Sequence, residues 1–147
     1  MSEHESTRRE VVEINLDELA ELIGWQQEKR ADRLLIINDT IVIIEETGNI
    51  HPSHDVGRLV KIIEAILDGP LRDYVPQLRN CPNIRLIVGI IHATGKKGKT
   101  PEYIATENRK LQEKYRKRGI KTNISLLSPA SCNRDLRNKL RKIGIEL

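Results

Sequence analysis

Residues 32–47, Asp-Arg-Leu-Leu-Ile-Ile-Asn-Asp-Thr-Ile-Val-Ile-Ile-Glu-Glu-Thr, constrain the fold of this chain more than any other stretch. Two short aliphatic, mostly β-branched runs, 34–37 and 41–44, flank Asn38-Asp39. That pattern predicts a β-hairpin closed by a two-residue loop. In this register Ile37 faces Thr40, Leu35 faces Val42, and Asp32 faces Glu45. Directly opposed residues have Cβ atoms only ~5 Å apart. Two carboxylates that close repel unless a cation lies between them, and a hard divalent ion with oxygen ligands is the usual solution. A loop displaced by one residue brings Asp32 opposite Thr47 instead; alternation still leaves Asp32, Glu45 and Thr47 on one face. The competing reading makes Asp32 and Glu45 solvated charges at strand ends.

Charge is divided along the chain. Residues 1–75 carry 8 Lys/Arg and 16 Asp/Glu, while residues 76–147 carry 17 and 5, which gives net charges of −8 and +12 within a total of +4. A basic half beside an acidic cluster suits a nucleic-acid enzyme with a metal site, since cations meet phosphates and carboxylates hold the metal. Mutual attraction of the two halves, within the fold or across a dimer, explains the same division. The length of 147 residues suits a single domain over 11–147 with its own core, preceded by a disordered 1–10 and ending in a basic part, 93–147. Cys81 and Cys132 are too few for a disulfide framework and suggest a reducing compartment. The polar N-terminus does not resemble a signal peptide, and no apolar run is long enough to span a membrane. These features predict a cytoplasmic protein.

Further elements follow in order. Asn15 and Glu18 form a capping-box pattern ahead of a helix with Leu16, Leu19, Ala20 and Ile23 on its apolar stripe, ending at Gly24 or near Arg30. Trp25 is expected to pack on the core. Lys29, Arg30 and Arg33 bracket Asp32 and are either phosphate contacts or ordinary surface charges. After a loop with Pro52, a helix is expected over 54–68, stopped by Gly69-Pro70. His51 and His54 flank that proline as exposed loop residues or metal ligands. Residues 84–91 read as a strand buried on both faces. Residues 93–100, Ala-Thr-Gly-Lys-Lys-Gly-Lys-Thr, fit a loose phosphate-loop pattern. Pro101 removes a backbone donor from the following helix, however, so Lys96, Lys97 and Lys99 are better read as nucleic-acid phosphate contacts. A basic helix to about 118, a strand over 120–127 and a final basic helix over 131–143 complete an α/β domain with a mixed sheet.

Asp32, Glu45 thirteen positions later on the second hairpin strand, and position 47 two beyond it resemble the PD-(D/E)xK nuclease superfamily, and within it the archaeal Holliday junction resolvases. Glu13, eleven residues before Gly24, stands where those resolvases carry a helical active-site glutamate, and Asp55-Val-Gly-Arg-Leu opens the next helix as a similar segment does there. The resemblance covers about residues 10–92. It implies a restriction-endonuclease-like fold and a homodimer acting on DNA, with branched DNA as the substrate that the resolvase likeness points to. It also implies Mg2+ or Mn2+ held by Asp32, Glu45 and the carbonyl of Glu46, with Glu13 positioning metal or water. Glu18 and Glu21 are alternatives to Glu13. Position 47 is Thr where the motif has Lys. A hydroxyl can hydrogen-bond a water but supplies no cation, which makes Lys61 and Lys29 candidates for the missing role. The alternatives are a catalytically impaired relative that binds DNA only, and a protein-interaction or nucleotide-binding module.

Overall fold

A computed structural model describes residues 11–16, 18, 33–48, 50–79, 83–93 and 101–146. The predicted hairpin forms with the two-residue loop. Strand β2 (Arg33–Ile37) runs antiparallel to β3 (Thr40–Thr47), with Ile37 opposite Thr40, Leu35 opposite Val42 and Arg33 opposite Ile44. Asn38 takes the turn at φ 54°, a left-handed conformation that asparagine tolerates better than most residues. Arg85 ties the turn down: its N–H donates to the Asp39 carbonyl at 2.9 Å and its Nη2 to Thr40 Oγ1 at 3.0 Å. Asp32 lies outside the described residues, as do residues 1–10, Trp25 and the phosphate-loop-like segment after Ala93.

The hairpin forms part of a five-stranded sheet of order β1-β2-β3-β4-β5. Strand β1 (Val11–Ile14) pairs antiparallel with β2, whereas β4 (Leu86–Ala93) and β5 (Asn123–Leu126) add in parallel beyond β3. The sheet is therefore mixed, as expected. Parallel neighbours need crossovers, and helices supply them. Helix α1 (Pro52–Asp68) joins β3 to β4, followed by the short α2 (Pro70–Tyr74) and α3 (Pro76–Arg79); α4 (Pro101–Lys117) joins β4 to β5, and α5 (Asn133–Arg141) ends the fold. Both crossovers step the same way across the sheet, so α1 and α4 lie on the same face. Val56, Leu59, Ile63 and Ile66 of α1 and Ile104, Leu111 and Tyr115 of α4 bury there with Ile41, Ile43, Ile87 and Ile91. On the other face, Leu136 and Leu140 of α5 and Ile145 cover Leu35, Val42, Val88 and Ile90. Strand β4 is buried on both sides, which explains its unbroken apolar sequence.

Three departures from the sequence expectations have local causes. Residues 11–14 form a strand ahead of the first predicted helix, because Val12 and Ile14 alternate onto the α1 face and complete the apolar row begun by Leu34 and Ile36. The chain does not leave helical structure after Gly69-Pro70. Gly69 at φ 123° breaks the axis and Pro70 restarts a short helix at its first position, which sends Leu71, Val75 and Leu78 into the core. Strand β5 begins at Asn123 rather than 120, since Ile120 is used to close α4. Its N–H bonds the Tyr115 carbonyl and that of Gly119 (φ 77°) bonds Arg116, which is a Schellman cap. Among the described residues no helix is long and apolar enough to cross a membrane.

Candidate active site at the carboxyl end of β3

In open α/β sheets, ligands are received beyond the carboxyl ends of parallel strands. The apolar run of β3 ends there in Glu45, Glu46 and Thr47, beside Ile91, His92 and Ala93 of β4. Alternation sends Glu45 to the α1 face, where it is completely buried. Arg58 of α1 reaches it, with Nη1 3.0 Å from Glu45 Oε2. The same Nη1 lies 3.7 Å from Asp55 Oδ1, one helical turn earlier. Asp55 is itself buried, and its Oδ2 accepts the His51 N–H at 2.7 Å. One guanidinium thus serves two buried carboxylates, and one of these fastens the loop at the start of α1. Burial of a carboxylate is costly unless it is paired and hydrogen-bonded, and Arg58 supplies that pairing at Glu45 Oε2. Arg58 is 29% exposed, so the cluster can be reached from the surface through this side chain. Its Nε is buried with no acceptor among the described residues.

Glu46 and its neighbours turn to the opposite face. His92 is buried, with Nδ1 3.8 Å from Glu46 Oε2 and with Nε2 enclosed and unpartnered among the described residues. Its strand continues the sheet by bridging to Ala130, whose N–H bonds Ile91 and whose carbonyl takes the Ala93 N–H. Glu13 also lies on this side. It sits on β1 opposite Leu35 rather than on a helix, and Arg33 grips its carboxylate through Nη2 at 3.2 Å and Nε at 3.3 Å. The sheet therefore separates Glu13 from Glu45.

Of the residues expected at the site, the structure brings Glu45 and Thr47 to the same face by strand alternation, with Thr47 half-buried at the last position of β3. Lys61 is half-buried on α1, one turn beyond Arg58. The Glu46 backbone lies next to Glu45, but its side chain diverges. Asp32, Glu21, Lys29, Arg30, Lys96, Lys97 and Lys99 lie outside the described residues. Glu18 is exposed, and its N–H is capped by Asn15 Oδ1 at 3.1 Å, as the capping pattern predicted. His51 and His54 are exposed at the start of α1 with ring centroids 6.4 Å apart. Among the described residues no group of three or more His, Cys, Asp or Glu is arranged to hold a metal ion.

The sequence reading did not assign Arg58, Asp55 or His92 to a site. For the first two a signal was present: Asp55 and Arg58 are three apart, and so adjacent on a helix. Nothing in the spacing says which strand that helical face will meet. Compared with protein-family models, with curated proteins and with solved structures, the chain has no match.

Proposed function

We propose that the chain is a metal-dependent DNA endonuclease-like protein of the PD-(D/E)xK type, with its site at the carboxyl end of β3 and Arg58 as the cation that Thr47 does not provide. The observation that carries this reading is the fully buried Glu45, held at 3.0 Å by an arginine from the following helix. The hairpin register supports it. The observed ladder reaches Arg33 opposite Ile44, one pair short of Asp32 and Glu45. A hard divalent ion takes oxygen donors, and here Asp32 and Glu45 would supply carboxylate oxygens and Glu46 its carbonyl. A bound Mg2+ or Mn2+ would lower the pKa of a water and neutralise the phosphate under attack.

The protein's own groups have separable tasks in this account. Arg58 fixes the Glu45 carboxylate and offers a partly exposed guanidinium to a phosphate oxygen, a geometry that arginine matches well. Asp55 holds Arg58 from behind and anchors the loop. The Thr47 hydroxyl can hydrogen-bond a water on the same face. We expect Glu45→Ala to abolish metal-dependent cleavage and leave DNA affinity within a few-fold. An equal loss of affinity would contradict the assignment.

The Glu45–Arg58 pair also favours a second reading. A guanidinium already neutralises the carboxylate that a metal would require, so the protein can be a nuclease relative that binds DNA without cutting it. Tight DNA binding with no cleavage in Mg2+ or Mn2+ selects this alternative.

A further inference from the structure

At the other edge of the sheet the chain gathers a second set of charges. The turn between β2 and β3, the segment leading into β4 and the segment leading into β5 meet there, against α2 and the end of α4. Two adjoining depressions of about 560 and 530 Å3 occupy this edge and share Ile120, Lys121 and Thr122 in their walls. Arg116 and Lys121 line the first; Lys121, Arg72 and Arg85 line the second. Among the described residues Asp39 is the acidic side chain in these walls, and Arg85 already meets it at 3.4 Å. Arg116 has only a 4.0 Å contact with Glu113, and Lys121 makes no ion pair among the described residues.

We propose that this cleft is a second nucleic-acid surface that binds the phosphodiester backbone without reading sequence. The cations are spread along two joined depressions rather than converging on one point, which suits a chain of phosphates better than a single anion. Among the described residues no aromatic side chain on which a base could stack lines the walls, which favours contact to the backbone. The fold holds these cations in place. The Schellman cap at Gly119 turns the chain so that Lys121 follows α4 directly, and Arg85 is fixed by its bonds to Thr40 and Asp39. Strand β4 runs from this edge to the Glu45 edge over eight residues, so the two surfaces are ~20 Å apart. The cleft is therefore distinct from the proposed active site and does not depend on it.

The test measures binding of a labelled DNA duplex by fluorescence anisotropy in EDTA, across a salt series, with the full wild-type chain as reference. Metal chemistry then plays no part, and failure of the nuclease reading leaves the result unaffected. The cleft variant Arg116→Glu/Lys121→Glu is compared with the control Arg141→Glu/Lys142→Glu, which makes the same charge change at the C-terminal end of α5. We expect the cleft variant to lose at least about tenfold in affinity and the slope of log K against log salt to fall by about 2, for two lost phosphate contacts at ~0.9 each. The control should lose less than about threefold. Equal losses in both variants would mean that total charge alone governs binding, and would overturn the proposal. So would displacement of the duplex by low millimolar inorganic phosphate at constant ionic strength, which marks a small-anion site. Circular dichroism confirms folding, and the single variant Lys121→Gln keeps the test decisive if the double variant misfolds: it should lower the slope by about 1, and an unchanged slope contradicts the proposal.

Discussion

Arg58 stands between two buried carboxylates, and its removal should be felt in stability before function is considered. Deleting one partner of a buried ion pair strands the other charge, at a cost of about 3 kcal/mol or more. We expect Arg58→Ala to lower the urea midpoint correspondingly. Arg58→Lys should lose less, since it keeps the charge but not the planar fork. A loss under about 1 kcal/mol for Arg58→Ala would mean that the cluster is solvated. Asn38 offers a second test. Its positive φ is strained for a β-branched side chain, so Asn38→Val should cost about 1–2 kcal/mol in the same assay while Asn38→Gly is nearly neutral. These two residues differ in how far the sequence revealed them. The role of Asn38 was legible because a two-residue loop between aliphatic runs has few solutions. Arg58 was not, because helix periodicity gives a residue's neighbours on its own helix but not the strand residue it meets.

Helices α1 and α4 are joined where they run side by side. Tyr115 Oη donates to Asp68 Oδ2 at 3.0 Å, Arg118 Nη1 reaches Asp68 Oδ1 at 2.5 Å, and Lys114 meets Glu64 at 2.6 Å. Burial, and then the hydrogen bond to Asp68, push the Tyr115 phenol well above its usual value. Burial raises the Asp68 carboxyl, but the bonds from Arg118 and Tyr115 outweigh it and leave a net lowering. The two shifts act at opposite ends of the pH scale. The raised phenol contributes stability that is complete below the unfolded value near 10 and fades as pH rises above it. The lowered carboxyl contributes stability present above the ordinary aspartate value and lost as pH falls through its folded value. Tyr115→Phe should therefore cost about 1 kcal/mol at neutral pH, and its deficit against wild type should shrink as pH passes 10. Thermal melts across that range check it, and a constant deficit would contradict it. Most elements were legible from periodicity and from Pro and Gly punctuation: α1, α4 and α5 begin within two residues of their expected starts. Strand β1 was not, because four residues are too few to show a period and their partner β2 is far along the chain. The same length limit hid α2 and α3; Pro70 was expected to follow a helix stop and in fact begins α2.

At the scale of the whole molecule, the acidic first half supplies Glu45, Asp55 and the carboxylates that face α4, and the basic second half supplies α4, α5 and most of the cations at the far edge. The charge asymmetry in the sequence thus has a spatial counterpart: carboxylates cluster at the carboxyl end of β3, and cations gather where β4 and β5 begin. The hairpin spacing was enough to place Glu45, because register follows from loop length. The way Glu45 is neutralised depends on tertiary packing and could not be read in advance. The measurement that tests the central claim most directly is cleavage of four-way-junction, duplex and single-stranded DNA in Mg2+ and in Mn2+, with wild type and Glu45→Ala side by side. Our account predicts metal-dependent cutting by the wild type that disappears in Glu45→Ala while DNA binding persists. Cutting that survives in Glu45→Ala, or no cutting by the wild type under either metal, would contradict it.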